Sequence, residues 1–147
     1  LGLGLYGLSA NKKFRKRLQP IGRLKTVLSQ IRIAPKGQGI GYSPKHILTS
    51  NKRIGIIAMG YADGLPRALG NGNGQVYIHG EMAPFIGNIC MDMAMIDLSD
   101  IKCNEGDEIE IFGENNSIYD LANNLNTIPY EVLTNISQRV KRVFFKE

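Results

Sequence analysis

The stretch GNGNGQVYIHGEMAPFIGNIC, residues 70–90, carries the clearest fold information in the chain. Gly70 to Gly74 is a glycine–asparagine turn signal, and Gln75 to Ile78 follows it with Val76 and Ile78 on one face. His79 and Gly80 then make a tight connection into Met82 to Cys90. Two extended runs joined in this way predict a β-hairpin.

Strand patterns continue on both sides of it. Upstream, Arg53 to Gly60 holds Ile54, Ile56, Ile57, Ala58 and Met59, a short apolar run that predicts a strand buried on both faces, and Tyr61 to Gly64 turns the chain. Before that, Leu24, Thr26 and Leu28 give way to Ile31 and Ile33, a phase change of the kind a β-bulge produces. Gly2, Gly4 and Gly7 among Leu1, Leu3 and Leu5 suggest the end of another strand. Downstream, Ala94 to Leu98 predicts a strand, and the alternation of Glu108 and Glu110 with Ile109 and Ile111 predicts a half-buried one. Arg139 to Phe145 would be the last.

The period changes in between. Ser117 and Asp120 have capping-box spacing, and Ile118, Leu121, Ala122 and Leu125 recur at helical intervals, so a helix is expected over 118–125. Val132, Leu133 and Ile136 predict a second short helix with Pro129 in its first turn, where the missing N–H costs nothing. About seven strands and two short helices, with turns at the spacing of a small barrel or sandwich, make a mainly β domain.

Composition bounds the function. A chain of 147 residues can hold one core, and 43% apolar with 21% charged residues is ordinary globular usage rather than that of a disordered or fibrous chain. No apolar run approaches the roughly 20 residues of a membrane-spanning helix, and no secretory leader pattern opens the chain, so a cytoplasmic protein without a membrane role is expected. Cys90 and Cys103 have no CxxC pairing, and His46 and His79 lie far from both, so no metal site is expected and the cysteines are expected as free thiols. The net charge of +5 raises the possibility of a phosphate-bearing partner, but the one dense cluster, Lys12, Lys13, Arg15, Lys16 and Arg17, sits among polar residues as a solvated loop would.

No complete catalytic template is present. Four short signatures at predicted strand ends are informative instead: Gly39-Ile40-Gly41-Tyr42, Gly60-Tyr61-Ala62-Asp63-Gly64, Cys90-Met91-Asp92-Met93 and Thr127-Ile128-Pro129-Tyr130-Glu131. Three of the six tyrosines lie in them. A lone tyrosine most often packs its ring and wets its hydroxyl, and a phenol with an ordinary pKa of about 10 is a poor base unless positive charge lowers it.

Taken in this order, with Pro66-Arg67 after the second signature, the four resemble the C-terminal domain of alanine racemase, a pyridoxal-phosphate enzyme, and the resemblance covers nearly the whole chain. It implies a protomer with an N-terminal α/β barrel of about 250 residues, of which residues 1–10 would be the end and 11–147 the β domain. Tyr42 matches the catalytic tyrosine that removes the α-proton of L-alanine in the site of the other subunit of a head-to-tail homodimer. Met91 matches the residue whose backbone N–H holds the substrate carboxylate. Tyr130 matches the tyrosine that hydrogen-bonds the cofactor phosphate, and Gly2 and Leu3 match the backbone cradle of that phosphate. Tyr61 and Asp92 match residues lining the substrate entrance, while Asp63 and Arg67 are expected as structural turn and strand-end residues.

Two departures stand out: Ser43-Pro44 follows Tyr42 where the family commonly has glycine, and Pro129 replaces the usual Asn or Ser before the phosphate tyrosine. The lysine that carries pyridoxal 5'-phosphate, and the arginine facing its ring nitrogen, are not in this chain. The resemblance therefore implies a two-base racemase making D-alanine for peptidoglycan, with this chain inactive alone and dependent on the missing barrel. The alternative is a stand-alone basic β-barrel that binds nucleic acid, suggested by the charge and by six tyrosines and five phenylalanines. Such modules place aromatics on one strand face, whereas Tyr42, Tyr61 and Tyr130 are expected in turns or at a helix start.

Overall fold

The computed structural model describes residues 2–42 and 46–145. Six strands form one antiparallel sheet: β1 (Leu24–Ala34), β2 (Lys52–Ile57), β3 (Gln75–Ile78), β4 (Glu81–Pro84), β5 (Ala94–Asp97) and β6 (Glu108–Phe112), in the order β4-β3-β6-β1-β2-β5. The long β1 is the pivot. Its first residues pair with β6 and its later ones with β2, and the register shifts between Leu28 and Gln30, which is the bulge read from the Leu24–Ile33 pattern. The bend brings the two edge strands together, through a bridge between Phe85 and Ile96 and a hydrogen bond from Ile86 N to Met95 O of 2.8 Å. The sheet is a nearly closed barrel whose edges largely shield one another.

Alternation along the strands sorts the apolar residues into two cores. Leu28, Ile57, Val76, Ile78, Ile96 and Ile109 fill the barrel, and Ile118, Leu121 and Ala122 of α2 (Ile118–Asn124) with Val132 of α3 (Pro129–Thr134) join the same cluster. Ile54 and Met95 point the opposite way from Ile57 and Ile96, because neighbours an odd number apart in a strand face opposite sides. They meet Ala34, Ile40, Leu48, Ile86 and Cys90 in a smaller core. That second core lies under residues 37–42 and 46–48, which bridge at Gly39 and Ile47 and where Gly37 N and Ile40 N donate to Leu48 O and His46 O at 2.8 and 3.1 Å.

Both helices form where the periodicity places them, although α3 ends at Thr134, before Ile136. Ser117 caps α2 by accepting from Tyr119 N at 3.2 Å, and Pro129 stands at the first position of α3. A third helix, α1 (Lys12–Arg15), is a single turn capped by Asn11 in the basic cluster, which the sequence suggested would be a loop. Tyr119 pins the segment before it: its hydroxyl accepts from Ser9 N at 2.7 Å and donates to Ser9 O at 3.1 Å, while Arg15 stacks over its ring.

Five expectations need correction. Residues Gly2–Tyr6 form a 3-10 turn rather than the end of a strand, with Leu3 and Leu8 in the main core. The second arm of the hairpin stops at Pro84, because the chain there leaves β3 and turns across to β5. Arg67 opens a 3-10 turn (Arg67–Leu69) instead of closing a strand. β6 is not half-buried: Glu110 is enclosed, its carboxylate accepting from Asn115 N at 2.7 Å and Asn116 N at 2.9 Å, which supplies the hydrogen bonds a buried charge needs. Arg139 to Phe145 is not a strand. The sheet edges already face each other, and Arg142 curls the segment by donating to the carbonyls of Ile136, Ser137 and Val140. The domain is mainly β as expected, with six strands among the described residues where about seven were expected.

Candidate active site

Tyr42 ends the 37–42 segment that covers the smaller core. Ile40, nearly solvent-free, anchors it from below, and Gly41 takes φ +78°, where a side chain would also meet Asn88 O at 2.6 Å. From the other side Asn88 Nδ2 donates to Tyr42 O at 2.7 Å, and Asn88 Oδ1 accepts from Asn71 Nδ2 at 2.9 Å. The backbone of Tyr42 is thus held while its side chain, 57% exposed, projects from the domain. Ser43 and Pro44 lie outside the described residues.

The segment after Asn88 carries the next residues. Cys90 N donates to Met93 O at 2.9 Å, closing a tight turn with Met91 and Asp92 at its tip. The 3-10 turn Tyr61–Asp63 docks on it edge to edge: Tyr61 N donates to Cys90 O and Ala62 N to Met91 O, both at 3.0 Å. Among the described residues the Met91 N–H meets no protein acceptor, and Met91 is half-exposed. Tyr42, Tyr61, Met91 and Asp92 therefore form one group around the 88–93 segment.

Arg139 ties that group to the segment after α3. Its Nε donates to Asp63 Oδ1 at 2.6 Å and its Nη2 to Asp92 Oδ1, while Asp63 Oδ2 accepts from Gly60 N at 2.9 Å. Burial works to raise the Asp63 carboxyl, but the Arg139 hydrogen bond, the Gly60 N–H and the guanidinium charge outweigh it and hold the group below the usual carboxylate range. Asp63 is the structural turn residue the sequence suggested. Arg139 was expected only within a strand, and no local signal marks it.

Gly2, Leu3 and Tyr130 make a second group. Tyr130, on the first turn of α3, brings its hydroxyl to Leu3 N at 3.2 Å. A Cβ at Gly2 would lie 3.1 Å from the same oxygen, so glycine keeps that space open. Pro129 stands at the first position of the helix that carries the tyrosine. A hollow beside this group is lined by Leu3, Gly4, Ser9, Phe14, Arg17 and Tyr130. A backbone N–H, a phenol and an unoccupied Cβ position at one point suit a phosphate group. No hydrogen bond or ion pair among the described residues links Gly2, Leu3 or Tyr130 to Tyr42, Tyr61, Met91 or Asp92.

Comparison with known proteins gives this arrangement its family. The chain is 40% identical over 153 residues to the alanine racemase of Helicobacter pylori strain J99, covering 97% of this chain and 40% of that protein. The alanine racemase of Bartonella henselae, solved with covalently bound pyridoxal phosphate, superposes with a TM-score of 0.92 at 32% identity, over 98% of this chain and 40% of the other. That of Clostridium difficile 630, in complex with cycloserine, gives 0.85 at 38% identity, over 92% and 37%. The chain thus spans about two-fifths of the length of these relatives. A family model described as the C-terminal domain of alanine racemase matches residues 21–144, and by that match and these likenesses the chain belongs to the alanine racemase C-terminal domain family.

Proposed function

We propose that this chain is the β domain of a pyridoxal-phosphate-dependent racemase that interconverts L- and D-alanine. The observation that carries the reading is the separation of the candidate residues into two groups of different chemistry. One offers an N–H, a phenol and an open Cβ position to an anion; the other exposes a held tyrosine near an open backbone N–H.

In this reading the Leu3 N–H, the Gly2 backbone and the Tyr130 hydroxyl hold the cofactor phosphate. When bound, the cofactor supplies an electron sink for the charge that develops as the α-proton leaves. Tyr42 takes the α-proton of L-alanine, or returns it, at its hydroxyl oxygen, and a base from outside this chain acts on the other face. The Met91 N–H holds the substrate carboxylate, a role that needs backbone position more than a thioether. Tyr61 and Asp92 line the approach. Tyr42 and Met91 serve the site of a second subunit in a head-to-tail homodimer, which accounts for their lying in a group separate from Gly2, Leu3 and Tyr130.

The nucleic-acid reading finds less support. The exposed aromatics Tyr6, Phe14, Tyr42, Tyr61, Tyr130, Phe144 and Phe145 all lie outside the strands, so the sheet face offers no stacking platform. No helix among the described residues is long and apolar enough to cross a membrane.

The test is Tyr42→Phe in the full-length protein. It keeps the ring and removes the base, so racemisation in both directions is expected to fall by about 10² to 10⁴-fold with stability little changed. Solvent deuterium exchange started from D-alanine should survive better than exchange started from L-alanine. A variant that lost neither racemisation nor L-alanine exchange beyond about threefold would make Tyr42 a packing residue.

A further inference from the structure

The guanidinium of Arg139 bridges two turns that, among the described residues, have no other side-chain link of opposite charge between them. Asp63 belongs to the turn bearing Tyr61, and Asp92 is the neighbour of Met91 in the other. The segment carrying Arg139 is itself fixed to the first turn, since Ser137 N donates to Asp63 O at 3.1 Å. The two turns meet by backbone contacts at Cys90 and Met91, so any movement of the Arg139 fork is felt where the Met91 N–H stands.

Charge matters as much as geometry here. The Asp92 side chain is 56% exposed and sits one residue from the N–H proposed to receive a carboxylate. Left uncompensated, it would repel an incoming anion at close range. A guanidinium can satisfy two carboxylates at once from a planar fork, which an ammonium at the end of a flexible stem does not reproduce.

We propose that Arg139 is a positioning residue for substrate binding: it pins the Met91–Asp92 turn to the Tyr61–Asp63 turn and neutralises Asp92 beside the carboxylate-holding N–H. This rests on the reading of Met91 given above. Its effect is on binding, because the substrate carboxylate is held alike before and during proton transfer, and an interaction of that kind moves KM and leaves kcat.

The experiment uses the full-length holoenzyme with Arg139→Gln and Arg139→Lys, read by KM and kcat for L- and D-alanine, thermal midpoint, and inhibition by propionate, which is alanine without its amino group. For Arg139→Gln a rise in KM of about tenfold for both enantiomers is expected, with kcat within about threefold and the propionate inhibition constant rising in parallel. Arg139→Lys should also raise KM, by at least about threefold, since one ammonium does not span both carboxylates; if the glutamine variant does not fold, this variant decides. KM within twofold of wild type in the folded variants would overturn the proposal. So would a fall in kcat and thermal midpoint with KM unchanged, which marks a purely structural residue. Failure of the underlying reading looks different: wild-type enzyme would then show no competition between propionate and alanine, whatever the variants do.

Discussion

Replacing Tyr130 with phenylalanine separates two roles that share one oxygen. In the chain by itself the hydroxyl accepts from Leu3 N at 3.2 Å in a partly buried setting, and a neutral hydrogen bond of this kind contributes about 1 kcal/mol net. The ring stays and loses none of its apolar contacts. For a domain of this size the loss corresponds to a fall of about 4 °C in thermal midpoint. Against a phosphate the same hydroxyl would donate to an anion, and hydrogen bonds to charged groups contribute about 1.5–3 kcal/mol. Cofactor affinity of the full-length protein should therefore weaken by roughly tenfold to 150-fold. Titrating the apoprotein with pyridoxal phosphate by absorbance measures this, with the thermal midpoint of the chain recorded alongside. A lower midpoint with affinity changed less than twofold would leave Tyr130 as a cap for the Leu3 N–H and refute its place in a phosphate site.

Asn88→Ala removes the amide that holds the Tyr42 carbonyl; a loosened base should cost about tenfold or more in kcat, with KM within twofold, and an unchanged kcat in steady-state assays would show that the tyrosine is held without this amide. Acid should destabilise the domain through Asp63 and Asp97, both of which sit below the ordinary carboxylate range: burial works against them, but Arg139 and Gly60 outweigh it at Asp63, and Lys52 and Ser99 at Asp97. A carboxylate depressed in the folded state adds stability above its unfolded pKa near 3.9, and that stability is lost as pH falls through the lower folded value. Asp97→Asn should accordingly flatten the fall in thermal midpoint below about pH 4, and a limb as steep as wild type would rule Asp97 out as a contributor.

What the sequence made legible divides along the range of the interactions. The bulge in β1, the hairpin at His79-Gly80, and α3 starting at Pro129 are set by neighbours within a few residues, and each is where the pattern puts it. The candidate residues other than Gly2 and Leu3 were proposed from the four signatures, which are themselves short. Some failures are local, as at the 3-10 turns of Gly2–Tyr6 and Arg67–Leu69 and the single turn of α1, but the larger ones are long-range. The burial of Glu110 depends on the turn that follows β6 folding back over it, so alternation alone placed it in solvent. The strand expected over 139–145 had suitable residues but no free edge to join, because Phe85 and Ile96 had already brought the edges together.

Arg139 is the sharpest case. Its two acceptors lie 76 and 47 positions away in the chain, so no window of sequence contains the fork and its carboxylates together. Read locally it is one of several basic residues near the end of the chain. Only when the barrel has closed, and α3 has docked so that Ser137 meets Asp63, do the Tyr61 and Met91 turns present their carboxylates to one guanidinium. A site of this kind depends on contacts from three distant parts of the chain at once. Substitutions in the core beneath it, such as Met95 or Ile54 of the smaller cluster, should therefore disturb the Met91 N–H before they unfold the barrel.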